Sequence, residues 1–133
     1  MKWLAMVLIA MSAIGAAQTP AAGSKAKKLS PDELKTLLEK KEIFFLDVRE
    51  PKELEETGTI KGYTNIPIGQ LESRYQEVPK DRLIVTACAH GVRAARAAEI
   101  LEKHGYKMAG ACGLVEWKEK GYPLIYPKDG AKK

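Results

Sequence analysis

Residues 83–101 read LIVTACAHGVRAARAAEIL, and the rest of the chain can be placed around this stretch. It opens with an apolar, largely β-branched run at 83–85, which predicts a buried strand. An Ala-rich sequence with the spacing of a helix follows from about Val92. Cys88 and Gly91 lie between the two patterns, in a connection that is only a few residues long. The stretch therefore predicts a strand, a tight loop and a helix, with a thiol where the loop begins.

The loop from Cys88 to Arg93 has the composition of a site that stabilises an anion. Gly91 permits backbone conformations in which successive N–H groups point inward. The positive end of the following helix and the Arg93 guanidinium add to this effect, and all of them favour a thiolate, the nucleophilic form of cysteine. The alternative is that Cys88 is a small core residue, a common role for a free cysteine. That role requires neither Gly91 nor Arg93, so we predict a reactive cysteine.

Strand and helix patterns alternate along the rest of the chain. A capping box at residues 30–33 predicts a helix that continues to about Lys40. The apolar run at 43–48 predicts a strand covered on both faces, and Asp47 and Arg49 mark its end, where open α/β sheets place their sites. Similar patterns predict helices at about 51–56, 70–76 and 114–120, short strands at 63–66 and 106–109, and a loop at 110–113. The implied architecture is a parallel sheet with helices on both faces.

The N-terminal residues have the pattern of an exported protein. Residues 1–17 combine one lysine, an apolar run and a small-residue triplet that ends at Ala17, which is typical of a secretory signal peptide. The apolar run is shorter than the about 20 residues of a membrane span, so we expect membrane attachment only if this segment is uncleaved. Residues 18–28, rich in Pro, Ala, Gly, Ser and Lys, predict a flexible linker. The expected location is outside the cytoplasm, in the periplasm.

Composition limits what the remaining residues can do. The chain has 133 residues and a formal net charge of +5, which leaves one folded domain at 29–127 and a basic tail at 128–133. Much of the positive charge lies in the linker and the tail. The sequence has no stripe of interleaved basic and aromatic residues, so we expect no nucleic-acid partner. The two histidines and two cysteines lack the paired spacing of a zinc site. We therefore predict no metal and no cofactor.

Four blocks of sequence, in their order and spacing, resemble the single-domain rhodanese family, the thiosulfate sulfurtransferase-like proteins. The blocks are SPDEL at 30–34, LDVREP at 46–51, NIP at 65–67 and the loop CAHGVR at 88–93. The ending, with Gly113 before Trp117 and GYP at 121–123, also fits the family. The resemblance implies a rhodanese-like domain with a mainly parallel five-stranded sheet and helices on both faces.

The same resemblance implies an activity and a role for each site residue. Cys88 would take a sulfane sulfur from a small anionic donor such as thiosulfate, hold it as a persulfide and pass it to a thiol or cyanide acceptor. Persulfide-stabilising residues would be Ala89, His90, Gly91, Val92 and Arg93, of which Arg93 would also attract the donor. Asp47 and Arg49 are expected to support the loop through hydrogen bonds rather than to take part in the chemistry.

Two departures from the family pattern bear on this activity. Ala94 follows the loop arginine where a small hydroxyl residue is common, so the loop could have one donor fewer. Cys112 replaces a glycine, and it could lie near Cys88 because parallel strands end at the same edge of a sheet. In an oxidising compartment Cys112 could pair with Cys88 or resolve its persulfide. The alternative is an unpaired, half-buried thiol at a position that needs a small residue.

Two functions therefore stay open. Cys88, Gly91 and Arg93 favour an enzyme that turns over, whereas Ala94 and Cys112 favour an exported sulfur-carrier or thiol-redox module that binds a periplasmic protein and has little turnover on small donors. Phosphatase activity is disfavoured, because the related phosphatases that share this fold surround phosphate with a loop one residue longer than the six residues found here.

Overall fold

A four-stranded parallel sheet organises the computed structural model, which describes residues 26–128. Its strands are β1 (Ile43–Asp47), β2 (Thr64–Asn65), β3 (Leu83–Cys88) and β4 (Met108–Gly113), in the spatial order β2-β1-β3-β4. The helices are α1 (Pro31–Lys40), α2 (Pro51–Thr57), α3 (Ile68–Arg74), α4 (Val92–Lys103) and α5 (Leu114–Glu119), with a 3₁₀ turn at Tyr75–Glu77. Strand β3, which ends at Cys88, is paired on both sides, with β1 and with β4.

The predicted parallel α/β architecture is confirmed, but the number of strands was wrong. Among the described residues the sheet has four strands rather than five. The place of a further edge strand is taken by one bridge between Lys28 and Ala111, in which Leu29 N donates to Ala111 O and Ala111 N donates to Lys27 O, both at 2.8 Å. The bridge does not extend into a strand because Ser30, two residues after Lys28, already caps α1. The last residues of the predicted linker therefore lie along β4.

Strand β4 extends further than its sequence predicts. The sequence indicates a strand at 106–109 and a loop at 110–113, whereas the observed strand is Met108–Gly113. Glycine and alanine usually weaken a strand, but here Cys112 pairs in register with Ala87, and Gly113 pairs with Cys88. Tertiary pairing with β3 overrides the local preference, and small residues fit because this end of the strand is buried.

The two faces of the sheet bury separate apolar clusters. Successive residues of β3 point to opposite sides, as the pleat of a strand requires. Ile84 and Cys88 join the cluster under α3 and α4, and Val85 and Ala87 join the cluster under α1 and α5. The buried residues of α4 have the spacing of one helix side; they are Ala94, Ala97, Ala98 and Leu101. Helices therefore cover both faces, as predicted.

The predicted start of α1 is confirmed in atomic detail. Glu33 N donates to Ser30 Oγ at 3.1 Å, and Ser30 N donates to Glu33 Oε1 at 2.9 Å, which is the reciprocal arrangement of a capping box. The predicted signal peptide at 1–17 lies outside the described residues, as do 18–25 of the linker and 129–133 of the tail. Within the described range, no helix has both the length and the apolar character that crossing a membrane would need.

Candidate active site

The sulfur of Cys88 lies beneath the first turn of α4 and accepts two backbone hydrogen bonds. Gly91 N donates to Cys88 Sγ at 3.0 Å, and Ala94 N donates to it at 3.2 Å. Gly91 has a φ of +100°, a left-handed conformation that suits glycine and places its amide toward the sulfur. Both hydrogen bonds, together with the positive end of the 12-residue helix α4, favour an anion on this sulfur.

The donors to the sulfur include one of the residues expected to stabilise a persulfide. The resemblance implies that role for residues 89–93, of which Gly91 donates its N–H, and the second donor is Ala94 N, the residue after that range. Sequence reasoning noted that Ala94 lacks a hydroxyl group, but it did not identify the Ala94 N–H as a donor to the sulfur. It also missed Thr86, whose buried Oγ1 donates to Ala94 O at 2.8 Å and holds the first turn of α4 against β3. Strand alternation could have indicated Thr86, because it shares a face with Cys88.

The sulfur of Cys88 and the outer part of the loop differ in their exposure to solvent. Cys88 is 1% exposed and contacts the apolar cluster under α4, whereas His90 is exposed and Val92 is 62% exposed. Burial by itself would fit a structural cysteine. Two N–H donors aimed at the sulfur do not follow from that role, because a thiol in an apolar core needs no hydrogen bonds. The arrangement instead suits a sulfur that carries negative charge.

The back of the loop rests on the junction between β4 and α5. Val115 N donates to Ala89 O at 3.0 Å, which ties the loop to the start of α5. A Cβ atom at Gly113 would lie 2.8 Å from Ala89 O and 2.9 Å from the carbonyl carbon of His90. Real side chains do not approach backbone atoms so closely, so the loop can occupy this position only while residue 113 is glycine.

Arg93 does not offer a free guanidinium to the loop, because it is paired with Glu53. Arg93 Nη1 and Nη2 donate to Glu53 Oε2 and Oε1 at 2.9 and 3.0 Å, and the two side chains are 35% and 33% exposed. The hydrogen bond from Arg93 holds the pKa of Glu53 below its usual value. The same bond raises the pKa of Arg93, which remains a cation. An anionic donor would therefore have to compete with the Glu53 carboxylate for Arg93.

Sequence reasoning missed Glu53, although a local signal was available. Glu53 lies three residues after Glu50, the spacing at which a side chain reaches back over the first turn of a helix. Its Oε2 accepts from Glu50 N at 3.2 Å. The cap of α2 thus holds the carboxylate that Arg93 meets.

Asp47 and Arg49 form a buried ion pair at the end of β1, with exposed fractions of 0% and 2%. Arg49 Nε and Nη2 donate to Asp47 Oδ1 and Oδ2 at 2.9 and 2.7 Å. Asp47 Oδ2 also accepts from Thr59 Oγ1 at 2.7 Å, and Arg49 donates to Thr57 Oγ1 and to Gly58 O at 2.8 and 2.9 Å. These hydrogen bonds join the end of β1 to the end of α2 and the segment that follows it, and none of them is made to the loop at 88–93, so the predicted support of that loop through hydrogen bonds stays a prediction.

A cleft of about 370 Å³ opens beside the loop. Ala89 of the loop forms one part of its lining, Leu114 and Val115 of α5 form an apolar part, and Glu56 and Lys118 supply charges of both signs. Among the residues that the structure describes, no three His, Cys, Asp or Glu side chains are grouped so that they could hold a metal ion.

The structure does not bring the two cysteines together. Both thiols are free and buried. Cys112 pairs in register with Ala87, so its side chain joins the cluster under α1 and α5, whereas Cys88 faces α4. The pKa of Cys112 is raised far above the usual value, and burial is the largest cause of this shift. This thiol therefore stays protonated. The hypothesis that Cys112 forms a disulfide with Cys88 or resolves its persulfide is therefore not supported. In the described structure Cys112 is a buried, unpaired thiol.

Comparison with known proteins agrees with this geometry. A family model described as "Rhodanese-like domain" matches residues 30–120. The mitochondrial thiosulfate sulfurtransferase RDL2 of Saccharomyces cerevisiae is 31% identical over 123 residues, covering 79% of this chain and 82% of that protein. An uncharacterized protein of Bacillus subtilis, YqhL, is 37% identical over 98 residues, covering 71% and 74%. A crystal structure of a rhodanese-related protein from Thermoplasma volcanium has a TM-score of 0.69 at 34% identity, covering 75% of this chain and 98% of that one.

The matched range begins at the cap of α1 and includes the whole strand, loop and helix around Cys88. The relatives of this chain include proteins named as sulfurtransferases, at 29% and 31% identity. Together with the Cys88 loop, these matches show that the chain belongs to the rhodanese-like family, whose single-domain members are sulfurtransferase-like proteins.

Proposed function

We propose that this protein transfers sulfane sulfur from thiosulfate or a similar donor to a thiophilic acceptor through a persulfide on Cys88. The observation that carries the proposal is the pair of N–H groups, from Gly91 and Ala94, that donate to Cys88 Sγ. A thiolate and a persulfide anion both gain from such donors in a buried site. The signal-peptide pattern of residues 1–17 supports an exported, periplasmic setting for this reaction.

The proposed reaction has two steps and leaves Cys88 unchanged at its end. The Cys88 thiolate attacks the outer sulfur of thiosulfate and forms an S–S bond to it. The bond between that sulfur and the sulfonate sulfur breaks, and sulfite leaves with the electron pair. A cyanide ion or a thiolate then attacks the outer persulfide sulfur, and Cys88 leaves as a thiolate. Thiocyanate or the acceptor's persulfide is the product, and negative charge is conserved in both steps.

Two features of the loop argue against phosphate chemistry. The six residues from Cys88 to Arg93 make a smaller ring than the related phosphatases use. Arg93 is also held by two hydrogen bonds to Glu53, so a phosphate would have to displace a carboxylate before it could bind the guanidinium. A single persulfide sulfur needs less space and less positive charge than a phosphate dianion does.

Mass spectrometry of the intact protein and of its peptides, after incubation with thiosulfate, tests the proposal. We expect an added mass of about 32 Da, one sulfur atom, on the peptide that contains Cys88. Cyanide should remove this mass and release thiocyanate, and Cys88→Ser should acquire none. The proposal would be contradicted if the wild-type protein stayed unmodified, or if Cys112 carried the sulfur adduct instead.

A sulfur-carrier function with slow turnover on small donors is the second candidate, and the Arg93–Glu53 pair favours it. A guanidinium already bound to a carboxylate attracts a small anion less strongly than a free one does. For a carrier, the formation of the Cys88 persulfide from thiosulfate and the steady-state production of thiocyanate should both be slow. For an enzyme, both should be fast.

Gly113→Ala should lower kcat for sulfur transfer about 100-fold, because a displacement of the order of 1 Å is enough to misalign a reacting group. The new Cβ would meet Ala89 O at 2.8 Å, so the loop must move away from β4. Cyanide-dependent thiocyanate formation measures the effect, and circular dichroism checks the fold. Gly69→Ala is the matched control, since nothing lies within 4 Å of its added Cβ. Equal activity of the two variants would show that this contact does not position the loop.

A further inference from the structure

Lys28 reaches the rim of the Cys88 loop from the segment that precedes α1. A Cβ atom built on Gly91 would lie 3.7 Å from both Cε and Nζ of Lys28. Gly91 itself donates its N–H to Cys88 Sγ. The ammonium therefore lies beside the residue that holds the sulfur, although Lys28 lies 63 positions before Gly91 in the chain and belongs to none of the blocks that identify the family.

The backbone of Lys28 is fixed along the edge of β4. Its neighbours are bonded to Ala111 by two hydrogen bonds of 2.8 Å, one to Lys27 O and one from Leu29 N. Leu29 is 3% exposed within the cluster under α1 and α5, and Ser30 caps α1. The ammonium can therefore move only as far as its four-carbon side chain allows, and that range includes the mouth of the loop.

The charge of Lys28 is available to a ligand, unlike that of Arg93. Lys28 Nζ lies 3.6 Å from Glu116 Oε2, and the two side chains are 59% and 46% exposed. A long, exposed ion pair of this kind adds little stability and is readily exchanged for another anion. Arg93, by contrast, makes two short hydrogen bonds to Glu53. Of these two cations beside the loop, Lys28 is the one that an incoming anion can recruit.

We propose that Lys28 forms an anion subsite at the loop rim that binds the sulfonate oxygens of the sulfur donor. The inference rests on the proposed function, because a donor whose outer sulfur meets Cys88 Sγ directs its sulfonate group outward, past Gly91. An ammonium there makes charge-assisted hydrogen bonds to those oxygens. The subsite selects anionic donors over neutral ones and acts on donor binding, while the bond-breaking step stays with Cys88.

Lys27 provides a matched control for this proposal. It is the adjacent residue, it carries the same charge, and its Nζ pairs with Glu33 Oε2 at 2.8 Å on α1 instead of reaching the loop. Lys28→Met and Lys27→Met change the net charge equally. Any difference between them therefore reports the position of the ammonium and not the overall charge of the protein.

Steady-state kinetics with thiosulfate gives the first readout. We expect Lys28→Met to raise KM for thiosulfate about fivefold with little change in kcat, as the loss of one partly exposed ionic contact requires. Lys28→Arg should restore most of the affinity, and Lys27→Met should behave as wild type. Equal KM values for Lys28→Met and Lys27→Met would overturn the inference while leaving the proposed function intact.

Alkylation of Cys88 gives a second readout that needs no sulfur transfer. Iodoacetate is an anion and iodoacetamide is neutral, so the ratio of their rates reports how strongly the rim attracts negative charge. We expect this ratio to fall about fivefold in Lys28→Met and to stay unchanged in Lys27→Met, with Cys88→Ser as the blank. If the ratio falls in a protein that transfers no sulfur, the subsite is supported and the proposed function fails. An unchanged ratio rejects the subsite.

Discussion

Cys88→Ser is expected to lower thiosulfate-dependent formation of thiocyanate by at least about 1000-fold, because the loss of a nucleophile removes the covalent step altogether. A serine hydroxyl is not ionised near neutral pH, and its oxygen cannot carry a sulfane sulfur as a persulfide. The replacement is close in size, and the N–H groups of Gly91 and Ala94 can still donate to the smaller oxygen. The fold should therefore be retained while the chemistry is lost.

Cys112→Ala is the control for this experiment. It removes the other thiol of the chain, which is buried on the opposite face of the sheet from Cys88. Its activity should stay within about threefold of wild type, as for a substitution that leaves the reacting groups in place. A loss as large as that of Cys88→Ser would mean that Cys112 takes part in the transfer, and would contradict the assignment of one reactive cysteine.

Asp47→Asn is expected to lower the free energy of unfolding by about 3–5 kcal/mol, because it leaves the buried guanidinium of Arg49 without a counter-charge. Asp47 accepts hydrogen bonds on both oxygens, and an amide would direct N–H donors at groups that also donate. The loss is a large fraction of the stability of a domain of this size. Urea denaturation, with the midpoint and the slope compared against wild type, measures it.

Glu77→Gln makes the same change in a pair of similar geometry at the surface. Arg74 Nε and Nη2 donate to the two Glu77 oxygens at 2.9 and 3.0 Å, much as Arg49 does to Asp47, but both side chains are exposed. Solvent screens such a pair, so its loss should leave the unfolding midpoint almost unchanged. If the two variants unfolded at the same urea concentration, burial would not be the reason why the Asp47–Arg49 pair contributes to stability.

In the proposed reaction, negative charge would be stabilised mainly by fixed backbone groups rather than by a free side-chain cation. The sulfur of Cys88 meets N–H groups and the positive end of α4, while the charge of Arg93 is compensated by Glu53. Such groups do not reorganise when charge moves from the thiolate to the persulfide, which is the condition for electrostatic stabilisation of both states. A mobile ammonium at the rim, supplied by Lys28, is then suited to handling the donor.

Local sequence was enough to predict much of the secondary structure and the position of the reactive cysteine. The strand, loop and helix at 83–101, the cap at Ser30 and the alternation of strands and helices follow from hydrophobic spacing, from capping residues and from Gly91. These features depend on contacts between residues that are close in the chain, so the order of the residues is enough to predict them. Cys88 could be singled out for the same reason, because its loop is a local structure.

Only the tertiary structure decided which distant groups meet around that loop. The Arg93–Glu53 pair joins residues 40 positions apart, and Lys28 lies beside Gly91 although it comes 63 positions earlier in the chain. The extension of β4 to Gly113 and the opposite orientations of the two thiols depend on register with β3. Local preferences carry no information about such contacts, because their free energy comes from pairing and burial that exist only once the sheet has formed.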